Sequence, residues 1–176
     1  MAHYTPPPVE IRSLINSHQD VSAPLVRVAM RFFAMEVPEY ADQPKNDVID
    51  TLLRVMYDHI DYSGSGSVKI LSAHKRNPET ATPAKEMVGA VEMLTFGNEA
   101  MLSNFAVRED KRGQGIGSFL LDNIELTARY NKISSLNVMC NNGNRDFYEK
   151  RGFLIEKISD VALLGTKILA PFPAAS

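Results

Sequence analysis

The chain has 176 residues, of which 44% are hydrophobic and 23% are charged, and its formal net charge is −2 at pH 7. A chain of this length forms one domain that buries roughly two-thirds of the surface of its unfolded state. The near-neutral charge excludes a general attraction of the whole molecule to nucleic acid or to an anionic membrane, and no apolar run approaches the roughly 18 residues of a membrane span.

The cysteine and histidine content excludes further kinds of site. Cys140 is the only cysteine, so neither an internal disulfide nor a cysteine-rich zinc site can form. The histidines are scattered without the spacing of metal ligands, and no metal site is predicted. The first residues, MAHYTPPPVEIR, lack the basic-then-apolar pattern of a secretory signal. Together these features favour the cytoplasm.

The first third of the chain predicts one strand and two helices. Residues 1–8 contain three consecutive prolines and are expected to form a flexible lead-in. Residues 9–14 alternate apolar and polar side chains, as a half-buried strand does. A helix is predicted from Ser22, which can cap its start, to Glu36, before Pro38 ends it. Apolar residues at spacings of three and four predict a second helix over 44–60.

Three strands are predicted in the middle of the chain, over residues 68–73, 87–96 and 100–107. A Gly-Asn turn joins the last two strands. The link between the first two, residues 74–86, is polar, contains two prolines and is long for a hairpin loop. We interpret this link as a mobile tip, and the alternative is a wall of the substrate site.

The rest of the chain alternates helices with strands. It predicts helices over 115–130 and 143–150, strands over 135–140, 153–158 and 161–169, and a short tail, 171–176. The complete order, β-α-α-β-β-β-α-β-α-β-β, predicts a single-domain α/β sandwich with a mixed sheet.

Three glycines lie where the strand 100–107 leads into the next helix. Gly113, Gly115 and Gly117 carry no Cβ, so the backbone there can approach a ligand closely. The first N–H groups of a helix have no partner within the helix and lie at the positive end of its dipole. This combination predicts an anion site, most naturally for phosphate. The alternative is an ordinary turn before a surface helix.

Two motifs then indicate a family. Arg112-x-x-Gly115-x-Gly117, five residues after Val107, resembles the acyl-CoA-binding motif of the GCN5-related N-acetyltransferases, the GNAT superfamily. The run YEKRGF that begins at Tyr148, seven residues after Asn141, resembles the second signature of that family. The resemblance implies a three-layer α/β/α sandwich with a mostly antiparallel mixed sheet over residues 9–170. It also implies acetyl-CoA as cosubstrate and transfer of the acetyl group to a primary amine by direct attack in a ternary complex.

The resemblance further implies the cofactor site. The backbone N–H groups of the glycine turn are expected to hold the CoA pyrophosphate: Arg112, Gly113, Gln114, Gly115, Ile116, Gly117 and Ser118. The backbone of Phe105, Ala106 and Val107 is expected to pair with the pantetheine arm as if the arm were an added strand. The Phe105 N–H matches the family's donor to the thioester carbonyl. Asn141 contacts the pantetheine or orders the loop, or it only closes the strand as a turn residue.

Catalytic roles are expected from Tyr148 and a carboxylate. Tyr148 matches the family's general acid, which protonates the thiolate leaving group; otherwise it only covers the sheet edge. Family members often supply a base from the strand before the glycine turn, but residues 101–104 contain no acidic or basic side chain. Glu92 and Glu99 remain candidate bases, and Ser103 could position a water. Glu92 could instead lie on the solvent face of its strand.

Two other functions are weighed against this one. A dinucleotide-binding oxidoreductase fails, because the third glycine of G-x-G-x-x-G would fall on Ser118 or Leu120. A catalytically weak or inactive CoA-binding module with the same fold and a regulatory or interaction role is favoured by the missing strand carboxylate and opposed by Tyr148. The acceptor amine, on a small molecule or a protein, is not identified by the sequence, although the near-neutral charge disfavours one linked to nucleic acid. Dimerisation is common in the family, and the sequence leaves a homodimer open.

Overall fold

The computed structural model describes residues 8–15, 23–63, 67–76 and 85–172. The order of elements in these residues is the predicted one, with two short 3-10 turns added at Pro38–Tyr40 and Glu109–Lys111. The elements are β1 (Glu10–Ile15), α1 (Ala23–Glu36), α2 (Lys45–Ser63), β2 (Val68–Arg76), β3 (Lys85–Phe96), β4 (Glu99–Val107), α3 (Ile116–Tyr130), β5 (Ser135–Cys140), α4 (Arg145–Glu149), β6 (Leu154–Lys157) and β7 (Leu163–Ile168).

The largest difference from the predicted boundaries is in β2 and β3. Each strand continues beyond its apolar core into the polar link, and the two pair as far as Arg76 opposite Lys85. The link that remains, residues 77–84, lies outside the described residues, so the interpretation of this link as a mobile tip stays a prediction. The expected lead-in, 1–8, lies outside the described residues except for Pro8, and the division of the chain into lead-in, domain and tail also stays a prediction.

The strands form one mixed sheet in the order β1-β2-β3-β4-β5-β7-β6. Every neighbouring pair is antiparallel except β4 and β5, which are parallel. This parallel pairing ends where Leu102 lies opposite Val138, although β4 continues to Val107 and β5 to Cys140. The two strands therefore diverge, and the last five residues of β4 have no strand paired to them on the β5 side.

A β-bulge lies in β4 just where this divergence begins. Val91 pairs with Phe105, but Met93 pairs with Leu102, so Glu92 on β3 lies opposite two residues, Ser103 and Asn104. A bulge of this kind changes the direction of the side chains around it. Here it brings two polar side chains of β4 next to one carboxylate of β3.

Helices cover the sheet from both sides and produce the expected three layers. On one face, α3 packs through Leu120, Leu121 and Ile124. On the other face, α1 and α2 pack through residues such as Phe33 and Met56. Alternate residues of the strands supply the two cores, as the two-residue period of a strand requires. The prediction of an α/β/α sandwich around a mixed, mostly antiparallel sheet is confirmed.

Close packing at Gly89 fixes α3 against β3. A Cβ at this position would lie 2.9 Å from Leu120 Cδ1 and 3.2 Å from Ile116 Cγ2. The missing side chain therefore lets the first turn of α3 lie directly on the sheet. This packing places the glycine turn, which immediately precedes α3, beside the open end of β4.

Two features are absent from the described residues, namely a membrane-spanning helix and a cluster of metal ligands. In the part of the chain that the structure describes, no helix is long and apolar enough to cross a membrane. The same residues contain no group of three or more His, Cys, Asp or Glu side chains arranged to hold a metal ion.

Candidate active site

The glycine turn before α3 requires glycine at two of its positions. Gly113 has φ of 75° and Gly115, at the N-cap of α3, has φ of 78°, both in the left-handed region that other residues rarely adopt. A Cβ at either position would meet no atom within 4 Å. The turn therefore faces open space, and the unpaired N–H groups at the start of α3 lie next to it.

A cavity of about 480 Å³ opens between this turn, the end of β4 and α4. Its volume falls within the range of roughly 300–1,000 Å³ that is usual for a bound small molecule. It is lined by Phe105, Val107, Lys111, Arg112, Gly113, Gly115, Ile116, Gly117, Ser118, Asn144, Phe147 and Tyr148. We call it the glycine-turn cavity. Nine of the residues predicted to bind the cofactor line it.

Three residues predicted to bind the cofactor do not line the glycine-turn cavity. The Ala106 side chain is buried in the core beneath α1 and α2, which leaves only its backbone at the strand edge. The Gln114 side chain points back into the turn, where Nε2 donates a hydrogen bond to the Asp110 carbonyl at 3.4 Å. Asn141 lies in a neighbouring cavity. The sequence motif did not indicate Phe147, which lines the cavity one residue before Tyr148.

Most of the basic side chains of the turn have protein partners. Arg108 donates to both carboxylate oxygens of Asp110 at 2.6 and 2.8 Å and also pairs with Glu86. Hydrogen bonds from Arg108, with a smaller contribution from Lys111, hold the pKa of Asp110 below its ordinary value. Arg108 thus belongs to a solvated ion network of the turn.

Arg112 connects the glycine turn to two other elements. Its Nε donates to the Val107 carbonyl at 3.0 Å, and one terminal nitrogen donates to the Glu36 carbonyl at the end of α1 at 3.4 Å. These contacts hold the turn against the end of β4. The guanidinium therefore supports the shape of the glycine-turn cavity, whatever ligand the backbone of Arg112 contacts.

Tyr148 lines the glycine-turn cavity and belongs to a cluster of aromatic rings. Its side chain is 4% exposed, and its ring centroid lies 5.1 Å from Phe147, 5.4 Å from Phe153 and 6.5 Å from Phe105. Burial raises the pKa of Tyr148 above its ordinary value, and the charges of Cys140 and Glu39 add to the shift. The phenol therefore remains protonated at neutral pH and can donate a proton or a hydrogen bond.

A second cavity of about 250 Å³ adjoins the first where β4 and β5 diverge. The residues that line both cavities are Phe105, Asn144 and Tyr148. The second cavity is further lined by Val37, Glu39, Tyr40, Leu102, Ser103, Asn104, Val138, Met139, Cys140, Asn141, Val161 and Ala162. We call it the β-split cavity. Two ligands, one in each cavity, would meet at the Tyr148 side chain.

Glu92 is buried behind the β-split cavity. It is 2% exposed, so the alternative that placed it on the solvent face of β3 is wrong, because the β4 bulge and the helices on that face enclose it. Its Oε2 accepts a hydrogen bond from Asn104 Nδ2 at 2.5 Å. Tyr40 donates its hydroxyl proton to Asn104 Oδ1 at 3.2 Å. The other carboxylate oxygen, Oε1, has no hydrogen-bond partner among the described residues.

The environment of Glu92 favours its neutral form. Burial raises its pKa above the ordinary value, and hydrogen bonds from the Asn104 and Ser103 side chains oppose the shift only in part. Glu92 itself lines neither cavity, whereas Ser103 and Asn104 both line the β-split cavity. A proton can therefore pass between this cavity and Glu92 only through the side chains of β4 or through water. The other candidate base, Glu99, lies exposed at the far end of β4 and lines neither cavity.

Asn141 and Asn144 order the loop that carries Tyr148. Asn141 Oδ1 accepts from the Gly143 N–H at 2.8 Å, and its own N–H donates to Asn144 Oδ1 at 2.9 Å. Asn141 Nδ2 also donates to Glu39 Oε1 at 3.1 Å. Of the three roles considered for Asn141, these contacts fit loop ordering.

Comparison with known proteins identifies the fold. A family model described as an acetyltransferase (GNAT) domain matches residues 78–155. A GNAT-family protein from Desulfovibrio desulfuricans has 16% identity and a TM-score of 0.64, over 92% of this chain and 99% of that one. GCN5 from Tetrahymena has 13% identity and a TM-score of 0.63, over 94% and 99% of the two chains.

One similar structure contains a cofactor. The PaiA N-acetyltransferase of Thermoplasma acidophilum, in complex with coenzyme A, has 22% identity and a TM-score of 0.56, over 91% of this chain and 98% of that one. No curated protein matches the chain. The resemblance to the GNAT superfamily is thus confirmed by the family model and the shared fold, and the cosubstrate of that family is acetyl-CoA.

Proposed function

From a GNAT fold and a matching GNAT acetyltransferase domain, we propose that this protein transfers an acetyl group from acetyl-CoA to a primary amine by direct attack in a ternary complex. The observation that supports the proposal most strongly is that the glycine-turn cavity and the β-split cavity adjoin at the protonated phenol of Tyr148. The glycine-turn cavity takes acetyl-CoA, and the β-split cavity takes the amine. Tyr148 lines both.

The residues of the glycine-turn cavity fit acetyl-CoA. Open glycines beside unpaired helix N–H groups suit the pyrophosphate, because each charge-assisted hydrogen bond contributes about 1.5–3 kcal/mol. The unpaired edge of β4 next to the cavity suits the amide groups of the pantetheine arm, which can bind there as a strand would. Along that edge, we assign the Phe105 N–H as the donor to the thioester carbonyl oxygen.

Tyr148 serves as the general acid in this proposal. Acetyl-CoA supplies an activated acyl carbon, and its carbon–sulfur bond breaks when the amine nitrogen attacks that carbon. Tyr148 then donates its proton to the thiolate that leaves, and the phenolate regains a proton from solvent after CoA is released. The raised pKa of the phenol keeps this proton in place at neutral pH until the thiolate forms.

Glu92 serves as the final acceptor of the proton that the amine loses. Its carboxylate does not reach the β-split cavity, but Ser103 and Asn104 line that cavity, and both lie opposite Glu92 across the β4 bulge. A hydroxyl can accept one proton while it donates another, so Ser103 can pass the proton inward. Glu92 must be ionised to receive it.

Acetyl transfer to a panel of primary amines tests the proposal. We expect the purified protein to release CoA in an amine-dependent reaction, and Tyr148→Phe to lower kcat about 100-fold or more, the usual contribution of a general acid. Acetyl-CoA binding should change little, since the substitution removes only a hydroxyl. Tyr130→Phe, at an exposed position in α3, is the matched control. Tight CoA binding without acetylation of any amine would instead support a CoA-binding module without catalytic activity.

A further inference from the structure

We propose that the β-split cavity selects primary amines whose amine-bearing carbon carries no carboxylate, and that Glu39, Tyr40 and Asn104 recognise the amine. This inference rests on the proposed acetyl transfer, whose acceptor it describes. Two sources share the required chemistry, namely an aliphatic amine and the N-terminal residue of a peptide.

The first argument concerns the charged side chains around the β-split cavity. Among the described residues that line it, Glu39 is the one anionic side chain, and none is a lysine, arginine or histidine. Glu39 lies close enough to both tyrosines of the cavity to contribute to their electrostatics. An amine that arrives protonated is attracted by this charge. A carboxylate on the same carbon would approach Glu39 without a cation to pair with.

The second argument concerns the hydrogen-bond acceptors that Asn104 and Tyr40 present in the cavity. Asn104 directs its Nδ2 toward Glu92, so its Oδ1 accepts from Tyr40. A carbonyl oxygen can accept a second hydrogen bond, and the Tyr40 oxygen, whose proton is already donated, can only accept. Both residues line the β-split cavity. They therefore present acceptors to a ligand that is rich in donors, as an amine is.

The ionised form of Glu92, which proton transfer also requires, fixes the orientation of the Asn104 amide. If the amide were turned over, its oxygen would face the Glu92 carboxyl oxygen at 2.5 Å, and its NH2 group would face the Tyr40 hydroxyl. The first of these contacts is repulsive whenever Glu92 is ionised. Glu92 thus positions Asn104 for the amine, in addition to its role in proton transfer.

The third argument concerns the size and the apolar lining of the β-split cavity. Its volume of about 250 Å³ is small for a ligand site, so we expect the part of the substrate that it holds to be short. Val37, Met139, Val161 and Ala162 supply an apolar rim, and Met139 and Val161 are 52% and 82% exposed. A longer substrate can therefore leave the cavity past these two residues.

Matched acceptors test the inference directly. L-alaninamide and L-alanine differ only in the carboxyl group, while n-butylamine and trialanine represent the two sources. With the 176-residue protein and acetyl-CoA, we expect kcat/KM for alaninamide to exceed that for alanine by roughly tenfold or more, on the scale of one like-charge contact that solvent partly screens. Calorimetric titration of both compounds into the CoA-bound protein should give the same ranking without turnover. Comparison of butylamine with trialanine then shows which source is preferred.

Substitution of Glu39 by glutamine tests the effect of its negative charge, because the two side chains have nearly the same shape. Glu39→Gln is nearly isosteric and exposed, and it should reduce the alaninamide-to-alanine ratio about tenfold while acetyl-CoA still binds. Glu156→Gln, on the exposed side of β6, should leave the ratio unchanged. Alanine used within threefold of alaninamide, or a ratio unaffected by Glu39→Gln, would overturn the inference and leave the acetyltransferase proposal intact. Acetylation of no amine at all would overturn both.

Discussion

Burial raises the pKa of both Tyr148 and Glu92, but the chemical consequences for the two side chains are opposite. For both side chains, loss of solvent is the first cause of a raised pKa. The phenol of Tyr148 is thereby kept as a proton donor. The carboxyl group of Glu92 becomes a better proton acceptor once it is ionised, although it ionises at a higher pH than an exposed glutamate.

Glu92→Gln tests the role of this carboxyl in activity. If the ionised carboxylate receives the amine proton, kcat/KM of the wild-type protein falls as the pH decreases through the raised pKa of Glu92. Glutamine cannot titrate, so we expect the variant to have a lower rate without this acidic limb. Steady-state kinetics from pH 5 to 9 measure the two profiles. Protonation of the amine itself adds an acidic limb in both proteins, so a variant profile whose acidic limb coincides with that of wild type would show that another group accepts the proton.

The same substitution has an effect on stability whose sign follows from linkage. The folded-state pKa of Glu92 lies above its unfolded value of about 4.3. The stability that its protonated form contributes is therefore complete below the unfolded pKa and is lost as the pH rises through the folded pKa. We expect the free energy of unfolding of Glu92→Gln, relative to wild type, to increase from pH 5 to pH 8 in urea titrations. Glu99→Gln, at an exposed position on β4, is the control and should show no such trend.

At the scale of elements, the packing of α3 against β3 holds the glycine turn in place. Gly89→Val would put methyl groups where Leu120 Cδ1 already lies 2.9 Å from the Cβ position. Overpacking of this kind costs about 1–3 kcal/mol, and the shift of α3 should also weaken acetyl-CoA binding. Gly165→Val is similarly overpacked, against Ile155 and Val138, but lies away from the glycine turn. Chemical unfolding and calorimetry should therefore show two destabilised variants, of which only Gly89→Val binds acetyl-CoA more weakly.

Sequence reasoning recovered the elements because each depends on a local pattern. The glycine turn and the run that begins at Tyr148 are contiguous motifs, and most of their residues lie in or next to one cavity. It missed Tyr40, and it left open whether Glu92, which it named as a candidate base, is buried, because both features depend on contacts between distant segments. Tyr40 reaches Asn104 across 64 residues, and Glu92 is enclosed only because a bulge in another strand brings two side chains toward it. No periodicity reports such contacts, which is why the alternating pattern of β3 suggested a solvent-facing Glu92.

At the scale of the whole molecule, the candidate site exists only because the sheet opens. The parallel pairing of β4 and β5 stops at Leu102, and the opening is then bordered by the 3-10 turn after α1, the glycine turn, α4 and the link between β6 and β7. Neither cavity is formed by one of these segments alone. The fold therefore forms two adjoining cavities from distant segments, and Tyr148 is one of the three residues that line both.

Calorimetric titration of acetyl-CoA into the wild-type protein and Gly115→Glu tests the central claim most directly. The claim is that open backbone N–H groups at the start of α3 hold the pyrophosphate. Gly97→Glu is the matched control, because Gly97 also has a positive φ, of 62°, and open space around it, but lies in the β3–β4 turn. We expect saturable binding to wild type and to Gly97→Glu, with affinity at least tenfold weaker for Gly115→Glu, whose carboxylate would oppose the phosphates. Absence of binding to wild type, or equal affinity for all three proteins, would contradict the claim.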